Sequence, residues 1–166
     1  MFDVGSYVVH PGQGVCLVED AGQAVKDAYK LMPIGQRHPV TITFPIQEDD
    51  RLRPIISHDE ALSLIDAYPQ IEVDTYSDRS IALEEEHFKC VIRTASCREM
   101  IRIVKTFRVR ITEVKARNKK PPVAYERILK TATTRSLLEL SVALGATPDA
   151  VCELFEDRTG YNISLN

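Results

Sequence analysis

The chain has no tryptophan, and aromatic residues fill only 7% of its 166 positions. No apolar run approaches the ~20 residues that span a bilayer. The N-terminus has no basic stretch leading into a hydrophobic one. A cytosolic protein with no membrane contact is expected. Four cysteines, Cys16, Cys90, Cys97 and Cys152, are scattered along the chain. None stands in a Cys-x-x-Cys pair, and no histidine sits at ligand spacing from one. A structural zinc needs four convergent ligands, so reduced thiols and no metal or cofactor are expected. His10, His38, His58 and His87 fall in predicted turns or near helix starts, outside any motif joining a base to a nucleophile. No catalytic constellation emerges, and an enzyme is not expected.

An apolar fraction of 44% suffices for one ordinary core or two small ones. Val8-Val9-His10-Pro11-Gly12-Gln13-Gly14-Val15-Cys16-Leu17-Val18 places β-prone runs on either side of a Pro-Gly-x-Gly connection. A phosphate cradle would open into a helix N-terminus. Here the chain enters another strand, so the stretch predicts a hairpin. Further strands are predicted at 29–33 and 40–44. In the latter, Val40, Ile42 and Phe44 alternate with Thr41 and Thr43, giving one buried and one polar face. Five short strands within sixty residues favour a small closed barrel, because closure removes exposed edges.

The chain then turns helical. Ser57 with Glu60, and Ser96 with Glu99, have the spacing of capping boxes. They predict a short helix ending before Pro69 and a long one over 97–116, with another over 81–94 between them. Met100, Val104, Phe107, Ile111 and Val114 form one apolar stripe on the long helix. A further helix is predicted over 123–144, stopped by Gly145, and a last one begins after Thr147-Pro148 and ends at Gly160. The expected class is α+β, in two domains: a barrel with its trailing helix over 1–67, a linker over 68–79, and an all-α domain over 80–166.

Charge divides the same way. Residues 1–79 hold six basic and thirteen acidic side chains, while 80–166 hold fifteen and eleven. Within 89–120 the count is eleven basic against two acidic. Such a segment can neutralise backbone phosphates, and Lys89, Arg93, Arg98, Arg102 and Lys105 are the candidate DNA contacts. Arg98, Arg102 and Lys105 lie off the apolar stripe. Adjacent Glu84, Glu85 and Glu86 point about 100° apart on a helix, so they do not converge on a metal and predict a solvated face.

The run Phe2-Asp3-Val4-Gly5-Ser6-Tyr7-Val8-Val9-His10-Pro11-Gly12-Gln13-Gly14-Val15 resembles the opening of CarD-family transcription regulators. Thr43-Phe44-Pro45-Ile46 and Leu52-Arg53-Pro54-Ile55-Ile56-Ser57 continue the likeness. Phe88-Lys89, Ile128-Leu129-Lys130-Thr131-Ala132 and Glu139-Leu140-Ser141-Val142-Ala143-Leu144-Gly145 follow the layout of that family's helical half. The resemblance implies a Tudor-like barrel that binds the β subunit of bacterial RNA polymerase, and a helical domain that contacts promoter DNA. Contact with that subunit by strand-edge pairing would use Thr41, Thr43, Phe44 and Pro45, the candidate polymerase-binding residues. The family places a tryptophan wedge before its Phe-Lys or Tyr-Lys pair, where this chain has Glu84, Glu85 and Glu86. The implied function is a non-enzymatic bacterial transcription regulator. The alternative is a protein-interaction adaptor on the same scaffold that has lost DNA binding.

Overall fold

The computed structural model describes residues 1–165, which divide into two compact units, Met1–Ile56 and the chain from Ser57 onward. The first unit is an antiparallel sheet of β1 (Tyr7–His10), β2 (Gly14–Ala21), β3 (Ala28–Pro33), β4 (Ile42–Pro45) and β5 (Arg53–Pro54). Gly14 takes φ +76° where the hairpin enters β2, a conformation only glycine adopts without strain. The strands run in the order β4-β3-β2-β1-β5. Among the described residues β4 and β5 do not pair, so the sheet is open and the expected closed barrel is not formed. One face gathers Val8, Cys16, Val18, Tyr29, Leu31, Phe44 and Leu52 into the core. The Tyr29 hydroxyl accepts from the Phe2 amide at 3.0 Å and donates to Asp49 at 3.3 Å, so its buried ring ties the N-terminal segment to the turn after β4.

The fourth strand begins two residues later than its alternation predicts. Val40 is 73% exposed rather than in the buried row. Proline at 39 supplies no amide, and the first residues after it precede the ladder. Pairing with β3 starts at Leu31 with Ile42.

The second unit is all helical: α1 (His58–Ala67), α2 (Ile81–Thr94), α3 (Cys97–Ala116), α4 (Val123–Leu144) and α5 (Pro148–Thr159). Both capping boxes are present, Ser57 with Glu60 and Ser96 with Glu99. Gly145 and Gly160 take the left-handed conformation at the ends of α4 and α5. The predicted stripe on α3 is buried from Met100 to Ile111, but Ile101, Ile103 and Thr106 are buried as well. α3 is therefore covered on more than one side, and residues 68–76 supply part of that cover.

That cover moves the expected division of the chain. Helix α1 lies in the second unit, not with the strands. Its inward residues Ala61, Leu64 and Ile65 are buried, α1 packs on α4 and α5, and Asp66 accepts two bonds from Arg158 at 2.6 and 2.7 Å. Tyr68 meets Phe155 edge to face at 4.9 Å. Residues 68–79, expected as a linker, are built into the helical unit.

Candidate functional site

Of the sheet's two edge strands, β4 and the two-residue β5, β4 offers the longer open row of backbone groups. Ala28, Tyr29, Lys30 and Leu31 stand opposite Pro45, Phe44, Thr43 and Ile42. The Ile46 amide donates to the Asp27 carbonyl at 3.0 Å, one step further in the same register. Bonded and non-bonded pairs alternate in an antiparallel ladder. The backbone groups of Ile42 and Phe44 therefore face β3, and those of Thr43 and Pro45 face outward. Pro45 fits this placement, because its missing amide costs no ladder bond on the open side.

The side chains sort accordingly. Thr41, Thr43 and Pro45 are exposed, while Phe44 is 5% exposed and belongs to the core. The His10 ring meets the Phe44 ring edge to face at 5.4 Å, and the Arg51 guanidinium lies 5.8 Å from its centroid. Phe44 thus holds the strand in place and does not offer its own face to a partner. Sequence reasoning missed Val40, whose exposed side chain immediately precedes this edge. Its position after Pro39 was the only available signal.

In the helical unit the expected DNA-contacting residues are not alike. Lys105 donates to the carbonyls of Tyr68 and Pro69 at 2.9 and 3.0 Å. Arg102 donates to those of Glu72 and Val73 at 3.0 and 3.5 Å. Arg110 continues the series to Asp74, at 3.2 Å, and Tyr76. Between them the Thr106 hydroxyl accepts from the Asp74 amide at 2.8 Å. Helix α3 thus straps residues 68–76 to its surface through their main chain. Lys89 lies 3.5 Å from the Glu85 carboxylate. Arg93 and Arg98 are exposed and form no ion pair among the described residues.

The acidic run is not a solvated face. Glu84 is 4% exposed and Glu85 9%; only Glu86 points to water. Glu84 accepts from the Tyr125 hydroxyl at 2.7 Å and from the Asp78 amide at 3.1 Å. The Arg110 guanidinium stands 3.9 Å away, 5.1 to 5.9 Å from the ring centroids of Phe107, Phe88 and Tyr125. Burial, and then the Glu84 bond, raise the Tyr125 hydroxyl above its ordinary value. Arg127 grips Glu85 with two bonds at 2.9 and 3.0 Å and holds that carboxyl below its ordinary value. The helical pattern alone could not reveal this, because the partners lie about forty residues downstream. Phe88, beside these acids, is fully buried and packs on Phe107 at 4.8 Å, a core residue and not a wedge.

A cleft of about 400 Å³ borders this network, lined in part by Thr106, Arg110, Glu84 and Tyr125. Those four already bond one another or the strap, so they form no set of groups free to act on a substrate. Among the described residues no cluster of His, Cys, Asp or Glu is arranged to hold a metal, and no helix is long and apolar enough to cross a membrane.

Residues 2–56 match the family of the CarD-like/TRCF RID domain. The matched span ends where the sheet unit ends. The chain carries a CarD-like domain. The resemblance in Phe2 to Val15, and again at Leu52 to Ile56, is borne out there. The CarD-like domain is a non-catalytic interaction domain of RNA polymerase-interacting proteins, and the open edge of β4 lies within it. No curated protein matches the chain significantly.

Proposed function

We propose that this chain is a non-enzymatic, cytoplasmic bacterial transcription regulator. Its CarD-like domain docks on the β subunit of RNA polymerase by adding a strand of that subunit to the β4 edge. The observation that carries this reading is the open edge itself. Thr43 turns both backbone groups outward, the flanking Thr41 and Pro45 side chains are exposed, and Val40 stands beside them as an apolar contact. Strand addition draws affinity from main-chain bonds, so it tolerates the modest side chains found here. In this reading the open sheet is a Tudor-like barrel left unclosed on the side that meets the partner. The helical unit then meets promoter DNA beside the docked polymerase.

Titration of the full chain into RNA polymerase by calorimetry tests the docking. Thr43→Pro removes the outward amide and should weaken binding at least tenfold, whereas Thr43→Val should leave it within about threefold. Equal affinity of wild type and Thr43→Pro would place the contact elsewhere.

A second reading, the adaptor without DNA contact, has its own supporting observation. Arg102 and Lys105 already donate to carbonyls of the same chain.

A further inference from the structure

The cations of α2 and α3 fall into two sets. Arg102, Lys105 and Arg110 hold the strap, Arg108 donates to the Ser164 carbonyl at 2.5 Å, and Lys89 lies against Glu85. The second set is concentrated where α3 ends. Lys115, Arg117, Lys119 and Lys120 are all exposed, and within 115–120 there is no acidic residue. None of the four has a carboxylate within ion-pair distance among the described residues, and none of their side chains donates to a carbonyl there.

Side chains at a helix C-terminus often serve to satisfy its last carbonyls. Here the backbone does that work. The amides of Arg117 and Lys119 both donate to the Val114 carbonyl, at 3.1 and 3.2 Å, and the Asn118 amide donates to Lys115 at 3.0 Å. Asn118 takes φ +57°, which turns the chain sharply. Pro121 is buried behind it, and Pro122 leads into α4. The turn is thus fixed by main-chain bonds and two prolines, and its four cationic side chains are left over.

We propose that this α3–α4 turn, and not the 89–105 face, is the helical unit's principal contact with the phosphate backbone of duplex DNA. The inference rests on the reading that the helical unit meets DNA. Phosphate contacts need positive charge presented close together and carry no sequence information, which suits lysine and arginine on a rigid turn. They need no wedge, so the lack of tryptophan does not bear on them. Contact at this turn also leaves the buried Glu84 and Glu85 network undisturbed.

The test is fluorescence anisotropy of the full chain with a labelled duplex across a salt series. Three proteins are compared: wild type, K115Q/R117Q/K119Q/K120Q and R93Q/R98Q, with thermal melts to establish that each is folded. Neutralising the turn should weaken binding at low salt at least tenfold. It should also flatten the log–log salt dependence by about 3 to 4, at ~0.9 per phosphate contact. R93Q/R98Q should stay within about threefold of wild type. If the turn variant binds as wild type does while R93Q/R98Q loses affinity, the turn is overturned but the DNA reading stands. If the intact chain does not bind the duplex at low salt, both fall. If it ignores the duplex but loses affinity for RNA polymerase when the turn is neutralised, the turn is a protein contact, and both again fall.

Discussion

Two extended segments of this molecule handle their backbone in opposite ways. β4 spends one side of its main chain on β3 and leaves the other open. The strap at 68–76 has its carbonyls met by Lys105, Arg102 and Arg110, and the Asp74 amide met by Thr106. Both lack a second strand, and only one has found a substitute for it. An extended segment advertises a docking site by its unanswered main-chain groups, not by its conformation. Cations show the same contrast. A basic helix face identified by composition can already be in use within the fold, while the charge free for a partner stands a few residues further on.

Breaking the satisfied segment should cost stability, and altering the open one should cost only binding. The largest effect is expected at Arg110. Arg110→Ala removes two strap bonds and three ring contacts and leaves the buried Glu84 without its nearest cation, a loss of about 3 kcal/mol in chemical denaturation. A loss below about 1 kcal/mol would mean that the strap holds without it. Arg102→Ala should destabilise by about 1 kcal/mol and speed amide exchange at Asp74 and its neighbours, while duplex affinity stays near wild type.

The next effect is pH dependent. Because Arg127 depresses the Glu85 carboxyl in the folded state, their pairing contributes fully above the ordinary value of 4.5. It is lost as pH falls from there through the lower folded value. Arg127→Ala should therefore be slightly less stable than wild type at neutral pH, the effect being small because Arg127 is largely exposed, and the gap should narrow at a pH well below 4.5. Equal gaps at both pH values would contradict the pairing. The smallest stability change is expected for Thr43→Pro, within about 0.5 kcal/mol in the same melts. A large loss there would mean that the Thr43 amide faces inward.

Local rules made much of this fold legible in advance. Ser57 with Glu60, Ser96 with Glu99, Thr147-Pro148 and Gly145 each act within four residues, and each marks the helix end it was expected to mark. Failures came where a residue's fate depended on distant partners. Glu84 and Glu85 read as solvated until Tyr125 and Arg127 are brought against them from α4. Arg102 and Lys105 read as free until the strap folds back against them across 30 and 37 residues. Barrel closure depended on whether β4 reaches β5, and alternation within a strand says nothing about that. Of the candidate docking residues, Thr43 and Pro45 lie on the open edge with Thr41 just before it, while Phe44 is committed to the core by the same alternation that identified the strand.

The way the strap is held has a consequence for how the sequence can drift. Lys105, Arg102 and Arg110 recognise carbonyl oxygens, which every amino acid possesses. Glu72 and Thr75 point to solvent and should accept almost any replacement. Ile71 is buried and Tyr76 stacks on His87 at 3.6 Å, so those two should be intolerant. Asp74 should be restrictive too, because its carboxylate accepts from the Tyr76 amide at 2.8 Å and Thr106 needs the amide hydrogen that proline lacks. A saturation scan of 71–76 should therefore show permissive sites alternating with restrictive ones, in a stretch whose composition alone suggests uniform freedom.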